Sequence, residues 1–231
     1  MIPFRDTIPC RQTPWMTWLL MGANATVFVF TWLLPDEVRY QVFYLYGLVP
    51  ARYTQPEWAQ WVGLSSGNYL PFVSNLFLHG GVLHLLFNLW MLWIFGDNVE
   101  DCMGPFRFLV FFLICGVLSN VVHFWINRDA ITPAIGASGA IAGILAAYFY
   151  LYPYARIIIW IFPFPLFVPV PAIAFLGLWV IIQAYKATTA LATRDAFSDI
   201  AWWGHLGGFA AGFILFRFFI IRPPSEAQAN P

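Results

Sequence analysis

Two residues in this chain have the types and setting for nucleophilic chemistry inside a membrane. Ser138 sits in Gly136-Ala137-Ser138-Gly139, and His205 sits in Gly204-His205-Leu206-Gly207-Gly208, each within a long apolar stretch. A serine hydroxyl is a weak nucleophile until a neighbouring base takes its proton, and neutral histidine is the usual base. A third set, His84 and Asn88, lies four residues apart and so shares one helical face. Two such donors beside a serine are suited to hold the oxyanion of a tetrahedral intermediate. His79, five residues before His84, points away from that face and is expected to be structural, at the membrane surface or in the loop before the helix.

A Gly-x-Ser-Gly motif alone says little, because small residues are common where membrane helices pack closely. Position adds to it. Pro133 precedes the motif, so Ser138 should open a helix, where free backbone N–H groups and the helix dipole favour negative charge. A histidine within a span is costly and points to function by default. His205, Gly208 and Gly212 fall at i, i+3 and i+7, a face that admits another backbone, and Ser138, Ala142 and Ala146 offer a matching face at four-residue steps. Helices that close can bring a serine and a histidine into hydrogen-bond range.

The elements that must position these groups are membrane spans. The chain is 61% hydrophobic and only 10% charged, with mean hydropathy +0.71, where a soluble domain has about 25% charged residues. The pattern predicts an all-α, polytopic six-helix bundle, with spans at about 15–34, 76–96, 106–126, 136–152, 172–187 and 201–221. Pro14 and Pro35 bound the first span, which is too long and too weakly flanked for a cleaved signal peptide. Pro163, Pro165, Pro169 and Pro171 cannot lie in one helix, so the fifth span starts near Ala172. Residues 1–14 form a short N-terminal segment, 15–222 a single membrane domain and 223–231 a disordered tail. Residues 36–69, rich in Tyr and Trp, read as an interfacial loop, and 153–171 as a Pro-broken loop on the opposite face.

Spans two, four and six run in the same direction, and His84, Ser138 and His205 each lie near the start of their span. They therefore share a depth on one face. An even span number puts both termini on one side. Basic residues there (Arg5, Arg11, Arg107, Arg156, Arg217, Arg222) slightly outnumber those opposite (Arg39, Arg52, Arg128, Lys186, Arg194), which favours cytoplasmic termini.

These motifs resemble those of the rhomboid intramembrane serine proteases, bacterial six-span type. The resemblance covers about residues 70–216. It rests on His79-x4-His84-x3-Asn88, on Gly96-Asp97-Asn98-Val99-Glu100 leading to Gly104, on Gly136-x-Ser138-Gly139, and on His205-x2-Gly208. It implies a serine endopeptidase that cuts transmembrane segments of other proteins, with Ser138 as nucleophile and His205 as base. The oxyanion would be held by His84, Asn88 and the Ser138 backbone N–H. His79, Glu100, Gly136, Gly139, Gly208 and Gly212 would give structural support. It also implies small residues at the cut, substrate access near span five and a mobile cap at 186–200. Two departures stand out. Ala142 replaces a tyrosine that stacks on the histidine in some rhomboids, so another group must hold His205, and the first loop has no Trp-Arg pair. The nearest acid, Asp199, is six positions from His205, too far round the helix to orient it, so a Ser-His dyad is expected rather than a triad.

Other function classes fit less well. A rhomboid-like binding or quality-control factor without activity is the main alternative, but such relatives lack the serine or the histidine. A metalloenzyme is disfavoured because His79, His84 and His205 lack soft or carboxylate partners at helical spacing. Cys10, Cys102 and Cys115 form no disulfide or zinc spacing and read as buried apolar thiols. A transporter would need an acid or lysine in mid-span. No cofactor and no metal are called for. With zero net charge and no basic run, nucleic acid is excluded as a partner. The expected partners are transmembrane substrates and membrane lipids. The length and the lack of a transit peptide suggest a bacterial plasma membrane.

Overall fold

The computed structural model describes residues 2–193 and 201–224. The expected spans fall on six apolar helices: α1 (Trp15–Trp32), α6 (Val82–Met103), α7 (Pro105–Ile126), α8 (Ser138–Leu151), α9 (Ala172–Thr193) and α10 (Trp202–Leu215). By length and composition, residues 82–103, 105–126 and 172–192 can each cross a membrane, and α8 is apolar but shorter. Leu83, Phe30 and Ile181 are 71%, 70% and 66% exposed on the outer faces. Apolar exposure on that scale suits a lipid-facing surface.

α8 is the central helix, packed against α6, α7 and α10. Gly139 through Tyr148 are all buried, as an all-round apolar helix requires. Around it lie Phe95 and Val99 of α6, and Phe108, Phe111 and Phe112 of α7, all fully buried. This core holds the start of α8 fixed, and with it Ser138.

Two segments expected as loops are ordered. Residues 36–69 carry α2 (Asp36–Tyr46), α3 (Ala51–Thr54) and α4 (Pro56–Trp61), followed by α5 (Pro71–Ser74) and a 3-10 turn, Asn75–Phe77. Pro35 ends the first helix and Asp36 and Glu37 favourably charge the first turn of α2. Residues 153–171 form a hairpin, β2 (Arg156–Trp160) with β3 (Phe167–Pro171), and β1 (Ile2–Arg5) completes an antiparallel sheet in the order β1-β2-β3. The chain is therefore not purely all-α. Arg156-Ile157-Ile158-Ile159-Trp160 alternates, with Ile157 and Ile159 buried, which is the period of a strand. Pro169 and Pro171 are tolerated because β3 is an edge strand.

Span limits shift for identifiable reasons. The second begins at Val82, not 76, because the 71–77 turns precede it and extended backbone at Gly81 starts the helix. It continues to Met103 past Asp97, Glu100 and Asp101, the last two of which are bonded by the segment before and at the start of α1. Glu100 accepts from Met16 N at 2.9 Å, Thr17 N at 2.7 Å and Thr17 Oγ1 at 2.7 Å, so it caps α1 from another helix. Asp101 accepts from Arg11 N and Nε at 3.0 and 3.2 Å. The fifth span runs on to Thr193, so 186–193 of the expected cap are helical, while 194–200, with Asp199, lie outside the described residues. The helix at the expected sixth span, α10, ends at Leu215, with a 3-10 turn at Phe216–Phe218. Most of the expected tail, 225–231, is likewise outside them. Cys102 and Cys115 are buried as expected, but Cys10 is exposed, because it lies in the segment before α1 rather than in a span.

Two predictions concern this N-terminal clasp. Glu100→Ala removes three hydrogen bonds to a buried carboxylate and is expected to cost about 2–4 kcal/mol, read as a lower unfolding temperature in detergent. Asp6 accepts a 2.6 Å hydrogen bond from Tyr148 Oη, and burial pushes its carboxyl from 3.8 up to about 6. The neutral form is the one the fold prefers. Its contribution is complete below pH 3.8 and is lost as pH rises through about 6. Asp6→Asn, which keeps an acceptor for Tyr148, should flatten that fall in an unfolding-temperature series across pH 4 to 7.

Candidate active site

α8 begins at Ser138, as the position after Pro133 predicts. Its first backbone N–H groups have no partner within the helix, and the dipole there is positive. His205 lies one turn into α10, and its Nε2 is 2.8 Å from Ser138 Oγ. That distance is a full hydrogen bond. Both side chains are half-buried, so the pair opens on one side.

Glycines make the approach possible, though on a face of α8 next to the expected one. The four-residue spacing predicts that Ala142 and Ala146 face α10. Instead a methyl group at Gly208 would overlap the carbonyl oxygen of Gly139, and one at Gly212 would lie 2.5 Å from the Gly143 Cα. The contact stripe is Gly139 and Gly143, each one residue beyond the predicted positions. α7 completes it: Ser119 Oγ donates to the Gly204 carbonyl at 2.7 Å, fixing the start of α10.

His84 and Asn88 do share a face, and Asn88 Nδ2 donates to the His84 carbonyl at 3.0 Å. Their side chains meet Gly136, two residues before Ser138. Gly136 has φ +126°, which excludes a side chain, and a methyl there would sit 2.7 Å from His84 Nε2 and 3.8 Å from Asn88 Nδ2. So the polar ends of span two converge on the backbone that leads into the serine. His79 lies before the helix, as expected, but does not point away from His84. Its ring packs edge-on against His84, with centroids 5.0 Å apart, because it precedes Gly80-Gly81 and is not on the helix. It is buried, which agrees with a structural place.

Several residues at the site were not anticipated. Asn75 and Asn120 exchange hydrogen bonds of 3.0 and 2.8 Å, Asn120 also donates to the Phe72 carbonyl, and the Asn75 carbonyl accepts from Gly136 N at 2.9 Å. With Ser119, Ser138 and His205 they line a small polar cavity of about 20 Å³. That is room for about one water. Gln183 on α9 places its Oε1 2.8 Å from His205 Nδ1, and Trp179 packs its ring 6.1 Å from the imidazole. These two occupy the role that Ala142 leaves empty. The available clue was a glutamine in an apolar span, which has to be bonded to something.

Among the described residues, no group of three or more His, Cys, Asp or Glu could hold a metal ion. The described chemistry is a hydroxyl on an imidazole, beside amide donors and a water-sized space.

The chain is similar to known proteins. The family model "Rhomboid domain" matches residues 66–222, which includes all the residues of the site. Rhomboid protein 1, mitochondrial, of Saccharomyces cerevisiae is 26% identical over 211 residues, 90% of this chain and 54% of that protein. Presenilin-associated rhomboid-like protein A, mitochondrial, of Danio rerio is 31% identical over 147 residues, 60% of this chain and 34% of that protein. Rhomboid protease GluP of Bacillus subtilis is 35% identical over 88 residues, 38% of this chain and 17% of that protein. The chain thus spans about half the length of the yeast relative and less of the other two. With a family model covering more than half its length and the site, this chain belongs to the rhomboid family.

Proposed function

We propose that the protein is an intramembrane serine endopeptidase working through a Ser138-His205 dyad. The observation that carries this reading is the 2.8 Å Ser138 Oγ to His205 Nε2 contact at a helix N-terminus. His205 Nε2 takes the hydroxyl proton as Ser138 Oγ attacks a peptide carbonyl carbon. The oxyanion that results is held by the Ser138 N–H, His84 and Asn88. The imidazolium then gives its proton to the departing amine, leaving an acyl-enzyme. A water, deprotonated by His205, hydrolyses that ester and restores the serine.

The helix lengths suit such a site in a six-span bundle. The 14 residues of α8 reach about 21 Å, against a hydrocarbon core of about 30 Å. A serine at its start therefore lies below the surface, reached by water through a cavity. Substrates are transmembrane segments of other proteins, and those with Gly, Pro or other helix-weakening residues near the cut should be favoured, because a regular helix shields its peptide bonds. A bacterial plasma membrane with both termini cytoplasmic goes with this reading. Relatives from Bacillus subtilis and relatives with mitochondrial names are both consistent with the fold.

Purified protein reconstituted in liposomes with a Gly-containing transmembrane substrate tests the proposal. Wild type should release two fragments cut within the span, and Ser138→Ala none. Equal cleavage by both, or none by either across a panel of such substrates, would favour the alternative of a silent membrane-protein binding factor.

A further inference from the structure

Resting on that reading, we propose that Gln183 is the positioning residue for His205, accepting its Nδ1–H and so fixing the tautomer whose Nε2 lone pair faces Ser138. Three observations support this. Gln183 Oε1 lies 2.8 Å from Nδ1 while Nε2 lies 2.8 Å from Ser138 Oγ, so the two ring nitrogens have one partner each. Gln183 is buried, at 6% exposure, and an amide so placed needs a polar partner. And no carboxylate among the described residues bonds to the imidazole; a neutral acceptor does so.

The choice of an amide has a physical reason. The third member of a hydrolytic triad must accept a proton-bearing Nδ1 and hold the ring plane. In soluble enzymes a carboxylate does this, but a charge at membrane depth is expensive. An amide oxygen serves the same geometric purpose without the charge. The ring is further constrained by Trp179, centroids 6.1 Å apart and planes 31° apart, and by Trp202 edge-on at 6.0 Å. Aromatic walls limit tilt but cannot choose a tautomer. Only the hydrogen bond at Nδ1 does that. Gln183 stands on α9 and His205 on α10, so the bond also ties the alignment of the dyad to the docking of α9 against α10.

The test combines a spectroscopic readout with kinetics. Nitrogen-15 NMR of ring-labelled protein in detergent should show His205 as the Nδ1–H tautomer in wild type and in Ser138→Ala. In Gln183→Leu, which keeps the volume but removes the acceptor, that preference should disappear. With a transmembrane substrate, Gln183→Leu should lower kcat about 100-fold with KM little changed, and Gln183→Glu, which restores an acceptor, should recover most of the loss. An Nε2–H tautomer in wild type overturns the proposal, as does a Gln183→Leu kcat within twofold of wild type. If wild type proves inactive, the protease reading fails, and the tautomer still decides whether Gln183 positions the ring.

Discussion

Gly208→Ala is expected to disable the dyad without touching either of its members. The added methyl overlaps the Gly139 carbonyl oxygen. A relaxed carbon contact needs about 3.5 Å, so α8 and α10 must part by about 1 Å or more. The Ser138 to His205 hydrogen bond of 2.8 Å would then stretch beyond bonding range. A misplacement of that size costs about 100-fold in rate, and overpacking of this kind costs about 1–3 kcal/mol of stability. Gly212→Ala, whose methyl meets the Gly143 backbone, should behave alike. The control lies elsewhere in the chain: Gly22 in α1 and Gly177 in α9 have open space beside them. Alanine there should leave cleavage unchanged and leave stability equal or higher by up to about 1 kcal/mol, since alanine is the better helix former. Cleavage rates and unfolding temperatures for the four variants separate close packing at the site from a general intolerance of glycine replacement.

The second large effect concerns the reacting groups. Ser138→Ala and His205→Ala should each lower the rate by about 1,000-fold or more, and the double variant should be no worse than either single one. Residues that act as a unit are non-additive in this way, because removing one leaves the other without a task. Additive losses would mean that the two side chains contribute separately and that their contact is structural. His84→Ala and Asn88→Ala should fall between these and wild type, in kcat rather than KM, since an oxyanion exists only in the transition state.

How much of this was legible in the sequence differs by element. Hydropathy located the apolar helices, because long uncharged stretches leave a strong compositional trace, and the prolines placed the start of the fifth at Ala172. The serine and histidine were legible from their glycine-rich settings, and His84 with Asn88 from four-residue spacing. The sheet was missed, because a Pro-rich apolar stretch masks the alternation of Ile157 and Ile159. The helix-helix seam was displaced by one residue. Spacing identifies a stripe of small residues, but Ala142 and Ala146 form one as readily as Gly139 and Gly143, and only the packed structure selects the glycines. For His205 the sequence excludes an acid at helical spacing and requires another group to hold the ring, without saying which. A glutamine in an apolar span signals that it has a polar partner, but no sequence spacing connects it with a histidine on another helix, so the pairing of Gln183 with His205 emerges only in three dimensions.

The most direct measurement of the central claim is covalent labelling of the folded protein with a fluorophosphonate, followed by mass-spectrometric location of the adduct. Such a reagent reacts with a serine only when a base activates it in an oxyanion-stabilising pocket. The prediction is one adduct per chain, on Ser138, lost in Ser138→Ala and strongly slowed in His205→Ala. Absence of labelling in correctly folded wild type, or an adduct whose rate does not depend on His205, would contradict the account.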